Sequence, residues 1–217
     1  MNFITMDTIK KCFDLILQGN RDDSRLAARR VRKILYKSQC SKKDYEKIKN
    51  IIDSAPDDYA QISDDWRQEN FVVAISVIYY LHDKENQPDF LFPWFFQLLQ
   101  HPNGVIRYAA ARMIINEIGP LTVHIRFPDH KSIFYSGLKP EEADNILYSL
   151  FTHLNILLAN LWLPKYKKYK YISSLPVSPY KSVQMVLSEL EESCGQNTIN
   201  RFVDSMRLLN NDINGQK

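Results

Sequence analysis

Reaction motifs are what this sequence most lacks. No P-loop, GxGxxG, GxSxG or HExxH occurs in its 217 residues. Glycine is scarce at six (Gly19, Gly104, Gly119, Gly137, Gly195 and Gly215), each placed at an expected helix end or loop, so there is no glycine-rich phosphate cradle. Cysteine is scarcer still. Cys12, Cys40 and Cys194 are odd in number, widely spaced and free of any CxxC, which excludes a disulfide scaffold and points to reduced thiols. An excess of one charge is missing too, with 28 Lys+Arg against 25 Asp+Glu, net +3. Together with 45% hydrophobic residues, this excludes a disordered chain. Long apolar runs are absent or compromised. Phe71–Leu81 is about half of the roughly 20 residues that a span requires. The uncharged run 145–164 is interrupted by Ser149, Thr152, His153, Asn155 and Asn160 and reads as a buried helix. Asp7, Lys10, Lys11 and Asp14 break the basic-then-apolar order of a signal peptide, so the chain reads as cytoplasmic, with no membrane partner.

What is present is helical periodicity. Ile9, Cys12, Phe13, Ile16 and Leu17 predict a helix over 7–18 that stops at Gly19, and a second is expected over about 23–37. Ser41 opens a third with Tyr45, Ile48, Ile51 and Ile52 on one face, and Ser63 reads as the N-cap of a fourth over 64–81. Further helices are expected from Pro88 to Leu99, from Val105 to a stop at Gly119–Pro120, and from Pro140 to Trp162. Ser178–Pro179 starts another that Gly195 ends, and Thr198–Leu209 is the last. Two long connections, 119–139 and 163–178, break this rhythm. The first alternates Val123, Ile125 and Phe127, then carries Ile133, Phe134 and Tyr135, which reads as an irregular or short β segment near 121–139.

A repeat underlies the pattern. Leu91–Phe92–Pro93 through Leu98–Leu99, the turn His101–Pro102–Asn103, then Ile106–Arg107–Tyr108–Ala109–Ala110–Ala111–Arg112–Met113–Ile114, resembles a HEAT repeat over residues 91–118. Arg25–Leu26–Ala27–Ala28 is a weaker match within 23–37. Arg25, Arg67 and Arg107 lie 42 and 40 residues apart, near the roughly 40–47 residue period of HEAT and armadillo arrays. Where such arrays place an acid six positions before the arginine, this chain has Gly19, Gln61 and His101. The resemblance implies an all-α, right-handed helical-repeat array (an α-α superhelix), one domain over 1–217, working as a non-catalytic scaffold that presents an extended surface, most often to protein.

Charge is segregated along the chain. Residues 20–50 hold eleven Lys+Arg and four Asp+Glu, whereas residues 51–100 hold two and nine. At 100° per residue, Arg25, Arg29, Arg32 and Lys33 share one helix face, opposite Ala27, Val31, Ile34 and Leu35. A second basic element, Lys165–Tyr166–Lys167–Lys168–Tyr169–Lys170, pairs cations with rings able to stack on bases. These are the candidate binding residues, for a protein partner or, alternatively, for nucleic acid. Alkylpurine DNA glycosylases of the HEAT-like type are the enzymatic alternative. Trp66, Trp94 and Trp162 nevertheless lack an acid at matching spacing, since Asp65 directly precedes Trp66. No catalytic residue, cofactor or metal is expected. His124, Asp129 and His130 read as a surface loop, His82, His101 and His153 as structural, and Cys194 has no evident base. The paired carboxylates Asp57–Asp58, Asp64–Asp65, Glu141–Glu142 and Glu191–Glu192 read as caps and solvated turns.

Overall fold

The computed structural model describes residues 6–35, 42–81, 87–128, 138–163 and 178–214. Among them the secondary structure is helical throughout, with no strand. The chain folds as two compact units. The first comprises Met1–Lys84 with Leu91–Met113, and the second Glu85–Phe90 with Ile114–Lys217.

In the first unit, α1 (Met6–Gln18) and α2 (Arg21–Leu35) form a hairpin. Its turn needs a glycine, because a Cβ on Gly19 would lie 2.5 Å from the Leu15 carbonyl oxygen. Asn20 starts α2, its Oδ1 accepting the backbone N–H groups of Asp22 and Asp23 at 3.0 Å each. α3 (Lys42–Asp53) and the short α4 (Ala55–Ala60) lead into α5 (Asp65–Ile78), followed by a 3-10 turn at Tyr79–Leu81. α5 packs against α1, α2, α3 and α4. Phe71, Val72, Ala74, Ile75 and Ile78 are accordingly closed to solvent. Edge-on rings tie its middle and the turn after it to the rest: Phe13 on Phe71 at 6.0 Å and Tyr79 on Phe95 at 5.2 Å.

Polar groups join these helices as well. Ser24, fully buried, donates to the Ile16 carbonyl at 3.2 Å and accepts from Asn70 Nδ2 at 3.0 Å. Arg67 donates to the carbonyls of Ile16 and Leu17. The last carbonyls of α1, which a helix leaves unsatisfied, therefore receive side-chain donors from α2 and α5.

Helix boundaries differ from expectation in three places. Asp64, rather than Ser63, is the N-cap of α5. Pro88–Leu91 is a turn, and α6 runs Phe92–Leu99 with Pro93 in its first turn, where a missing N–H costs nothing. α7 (Gly104–Leu121) does not stop at Gly119–Pro120. Ile118, Leu121 and Thr122 are buried, and carbonyls of the last turn gain side-chain donors: Thr122 Oγ1 on Ile118 at 2.8 Å, Arg126 on Gly119 at 2.6 Å. Burial and these bonds outweigh the local stop signal. Within 121–128, the alternation at Val123 and Ile125 forms α8 (Val123–Arg126), not a strand. Ile133–Tyr135 and residues 164–177 lie outside the described residues.

The second unit packs α9 (Pro140–Leu161) on α10 (Pro179–Asn214). Ala143, Leu147, Leu150, Phe151 and Leu154 form the buried stripe of α9, and Phe202 meets Tyr148 and Phe151 at 5.6 and 5.7 Å. The uncharged run in α9 is thus one-sided, with Ile156 exposed. Among the described residues, no helix is long and apolar enough to cross a membrane. Gly195 breaks α10 at φ 72°, ψ 161°, a conformation essentially confined to glycine. Open space surrounds its Cα, so only the backbone resists a side chain. Gly195→Ala is expected to destabilise the second unit by about 1–3 kcal/mol, read as a lower urea midpoint by circular dichroism. An unchanged midpoint contradicts this backbone assignment.

Candidate functional site

The basic face of α2 follows from how that helix is buried. Ser24, Ala27, Ala28 and Val31 are the inward positions, none more than 3% exposed. Small side chains there let α2 lie close to α1 and α5. Every cation of α2 consequently faces solvent: Arg21, Arg25, Arg29, Arg30, Arg32 and Lys33 are all exposed. No carboxylate among the described residues pairs with any of them. The predicted face thus stands for Arg25, Arg29, Arg32 and Lys33, while the side chains of Ile34 and Leu35 lie outside the described part.

Two further residues belong to this surface. Leu26 is 61% exposed, and Leu26, Arg29, Arg30, Arg32 and Lys33 line one side of an open groove of about 780 Å³. Residues 26, 29, 30 and 33 are spaced as one helical ridge. A wheel centred on Arg25 and Arg29 passes over Arg30, and Leu26 resembles a core position by residue type alone. The ridge spacing was the available signal for both. Lys165, Tyr166, Lys167, Lys168, Tyr169 and Lys170 lie outside the described residues.

The three spaced arginines do different work. Arg25 points to water. Arg67 holds the end of α1, stacks on Trp66 at 4.5 Å and pairs with Asp64 at 3.2 Å. Arg107, 3% exposed, donates to the His101 and Pro102 carbonyls at 2.7 and 2.6 Å. That turn is tied to α5 by Asn103 Nδ2 on Glu69 Oε2 at 2.7 Å and by His101 Nε2 against Gln68 Oε1 at 3.3 Å. Asn103 also caps α7 through the Val105 N–H at 2.8 Å.

The other chemical candidates among the described residues have local partners or burial. His124 Nε2 meets Asp144 Oδ1 at 2.9 Å, and Arg201 approaches the same carboxylate at 3.6 Å. Asp129 and His130 lie outside the described residues, among which no metal-binding group of three forms. Burial, with the nearby Asp144 charge, pushes the Cys194 thiol up to about 12, the reverse of an activated nucleophile. Trp94 is buried against Tyr59 at 5.7 Å, and Trp66 is covered by Arg67. Asp58 accepts from Ser54 at 2.8 Å, and Glu142 from the Lys139 N–H at 2.8 Å, so both act as helix-start ligands. No family model, no curated protein and no solved structure matches this chain.

His101 gives this turn a pH dependence. Its Nδ1 accepts the Asn103 N–H at 3.0 Å, which requires that nitrogen unprotonated. Burial lowers its pKa, with Arg107 reinforcing and Asp65 opposing. The unfolded chain therefore takes up the proton first, and stability falls as pH drops through 6.5 towards the folded value. Urea midpoints measured between neutral and mildly acid pH are expected to decline, and His101→Gln to flatten that decline. An equal slope in the variant contradicts the assignment.

Proposed function

We propose that this chain is a non-catalytic, HEAT-like helical-repeat module that binds an acidic protein surface through the exposed face of α2. The observation that carries the reading is a row of Arg25, Arg29, Arg32 and Lys33, without a carboxylate partner among the described residues, held outward by a buried seam. Guanidinium groups engage carboxylates through paired, charge-assisted bonds, which suits Arg more than Lys. Leu26, standing open among the cations, favours protein over nucleic acid, because interfaces combine an apolar contact with arginine anchors. The helix–turn–helix of 92–121 and its alanine-rich second helix support the repeat assignment.

The test uses a fluorescent Glu-rich peptide containing leucine, with a labelled single-stranded oligonucleotide of equal charge as comparison. Binding of the peptide is expected to weaken as salt rises from about 0.05 to about 0.3 M. Arg29→Ala with Arg32→Ala and Lys33→Ala is expected to weaken it about tenfold or more while leaving the circular dichroism spectrum unchanged. Peptide binding that ignores the triple substitution removes the reading. Tighter binding of the oligonucleotide, lost in the same variant, replaces it with the nucleic-acid alternative.

A further inference from the structure

We infer that the acidic surface fitted to the α2 face is carried by a second copy of this chain, docking head to tail. This rests on the α2 reading above and names its partner.

The first unit is electrically polar along its helices. α2 and α5 start side by side: Arg67, third in α5, reaches the end of α1, and Asn70 reaches Ser24, fourth in α2. Carboxylates gather at that shared end. Asp22 and Asp23 occupy the first turn of α2, Asp64 and Asp65 begin α5, and Asp58 and Asp64 share a hollow of about 380 Å³ with Leu17 and Arg67. Three of the acids there are engaged, Asp23 with Asn20 at 2.7 Å, Asp58 with Ser54 and Asp64 with Arg67. Asp22 and Asp65, with Asp57 next to Asp58 in sequence, are exposed, and their carboxylates make no hydrogen bond or ion pair among the described residues.

The cations sit farther along the same helix. Arg32 follows Asp23, the nearer first-turn acid, by nine residues, about 13.5 Å at 1.5 Å per residue. That exceeds a Debye length of about 8 Å at physiological salt, so the acidic end does not neutralise Arg32 and Lys33 within one molecule. Between two molecules the same groups can meet directly. Net charge of only +3 sets little general repulsion against such a contact. The two patches differ, so the contact is heterologous and each copy keeps one patch open after pairing. Association therefore continues past the dimer, into a ring or an open chain.

Sedimentation velocity of the full chain tests this. At low salt the weight-average sedimentation coefficient is expected to rise with concentration, and at high salt to fall to the monomer value. Two folded variants, checked by circular dichroism, separate the patches: Arg29→Glu with Arg32→Glu and Lys33→Glu, and Asp22→Lys with Asp57→Lys. Each alone is expected to lose association, and an equimolar mixture to regain it, because one offers two acidic patches and the other two basic ones. A wild-type chain that stays monomeric at low salt overturns the inference, as does a mixture that fails to associate. If that monomer still binds the Glu-rich peptide through α2, self-docking fails alone. If it binds neither, the α2 reading falls too.

Discussion

A seam of small side chains sets what this molecule shows to its surroundings. α2 has little to bury: of its fifteen residues, Ser24, Ala27, Ala28 and Val31 make up the described inward face. Burying any of its arginines would cost more than the seam returns, since a buried charge demands a paired, hydrogen-bonded partner. Arg107 illustrates the requirement, its buried guanidinium donating to two turn carbonyls. The inward positions of α2 hold no cation, and its cations face water. The seam also brings the starts of α2 and α5 together, which is what concentrates carboxylates at one end. Helix dipoles favour that arrangement locally, with acids at N-termini and Arg32 and Lys33 in the last turn of α2. The same bias that stabilises each helix gives the unit its polarity.

Much of the helical framework was legible because its signals are local. Ile9, Cys12, Phe13 and Ile16 recur at helical spacing and are all buried in α1. Gly195 ends one helical segment because its backbone adopts a conformation other residues resist. Failures occurred where tertiary contacts overrode such signals. Gly119–Pro120 looked like a stop, yet burial of Ile118 and Leu121 and donors from Thr122 and Arg126 carry α7 past it. Val123 and Ile125 alternate like a strand, but Thr122 continues the helical bonding from Ile118 into α8. Division of the chain into two units depends on long-range packing and leaves no local trace.

The site was legible in part, for the same reason. The amphipathic period of α2 placed Arg25, Arg29, Arg32 and Lys33 outside, and they are outside. Residue type misled at Leu26, whose apolar character suits a core and whose position faces the groove. The spacing of Arg25, Arg67 and Arg107 was visible, but not what each arginine does. Arg67 and Arg107 satisfy carbonyls at helix ends, and those acceptors are defined only once the helices pack.

Arginine footprinting with phenylglyoxal, with and without the acidic peptide, tests the central claim most directly. The account predicts that Arg25, Arg29 and Arg32 react readily in the free chain and are protected by the peptide, while Arg107 stays unreactive until the chain unfolds. Equal reaction of the three α2 arginines in both samples, or early modification of Arg107, would contradict it.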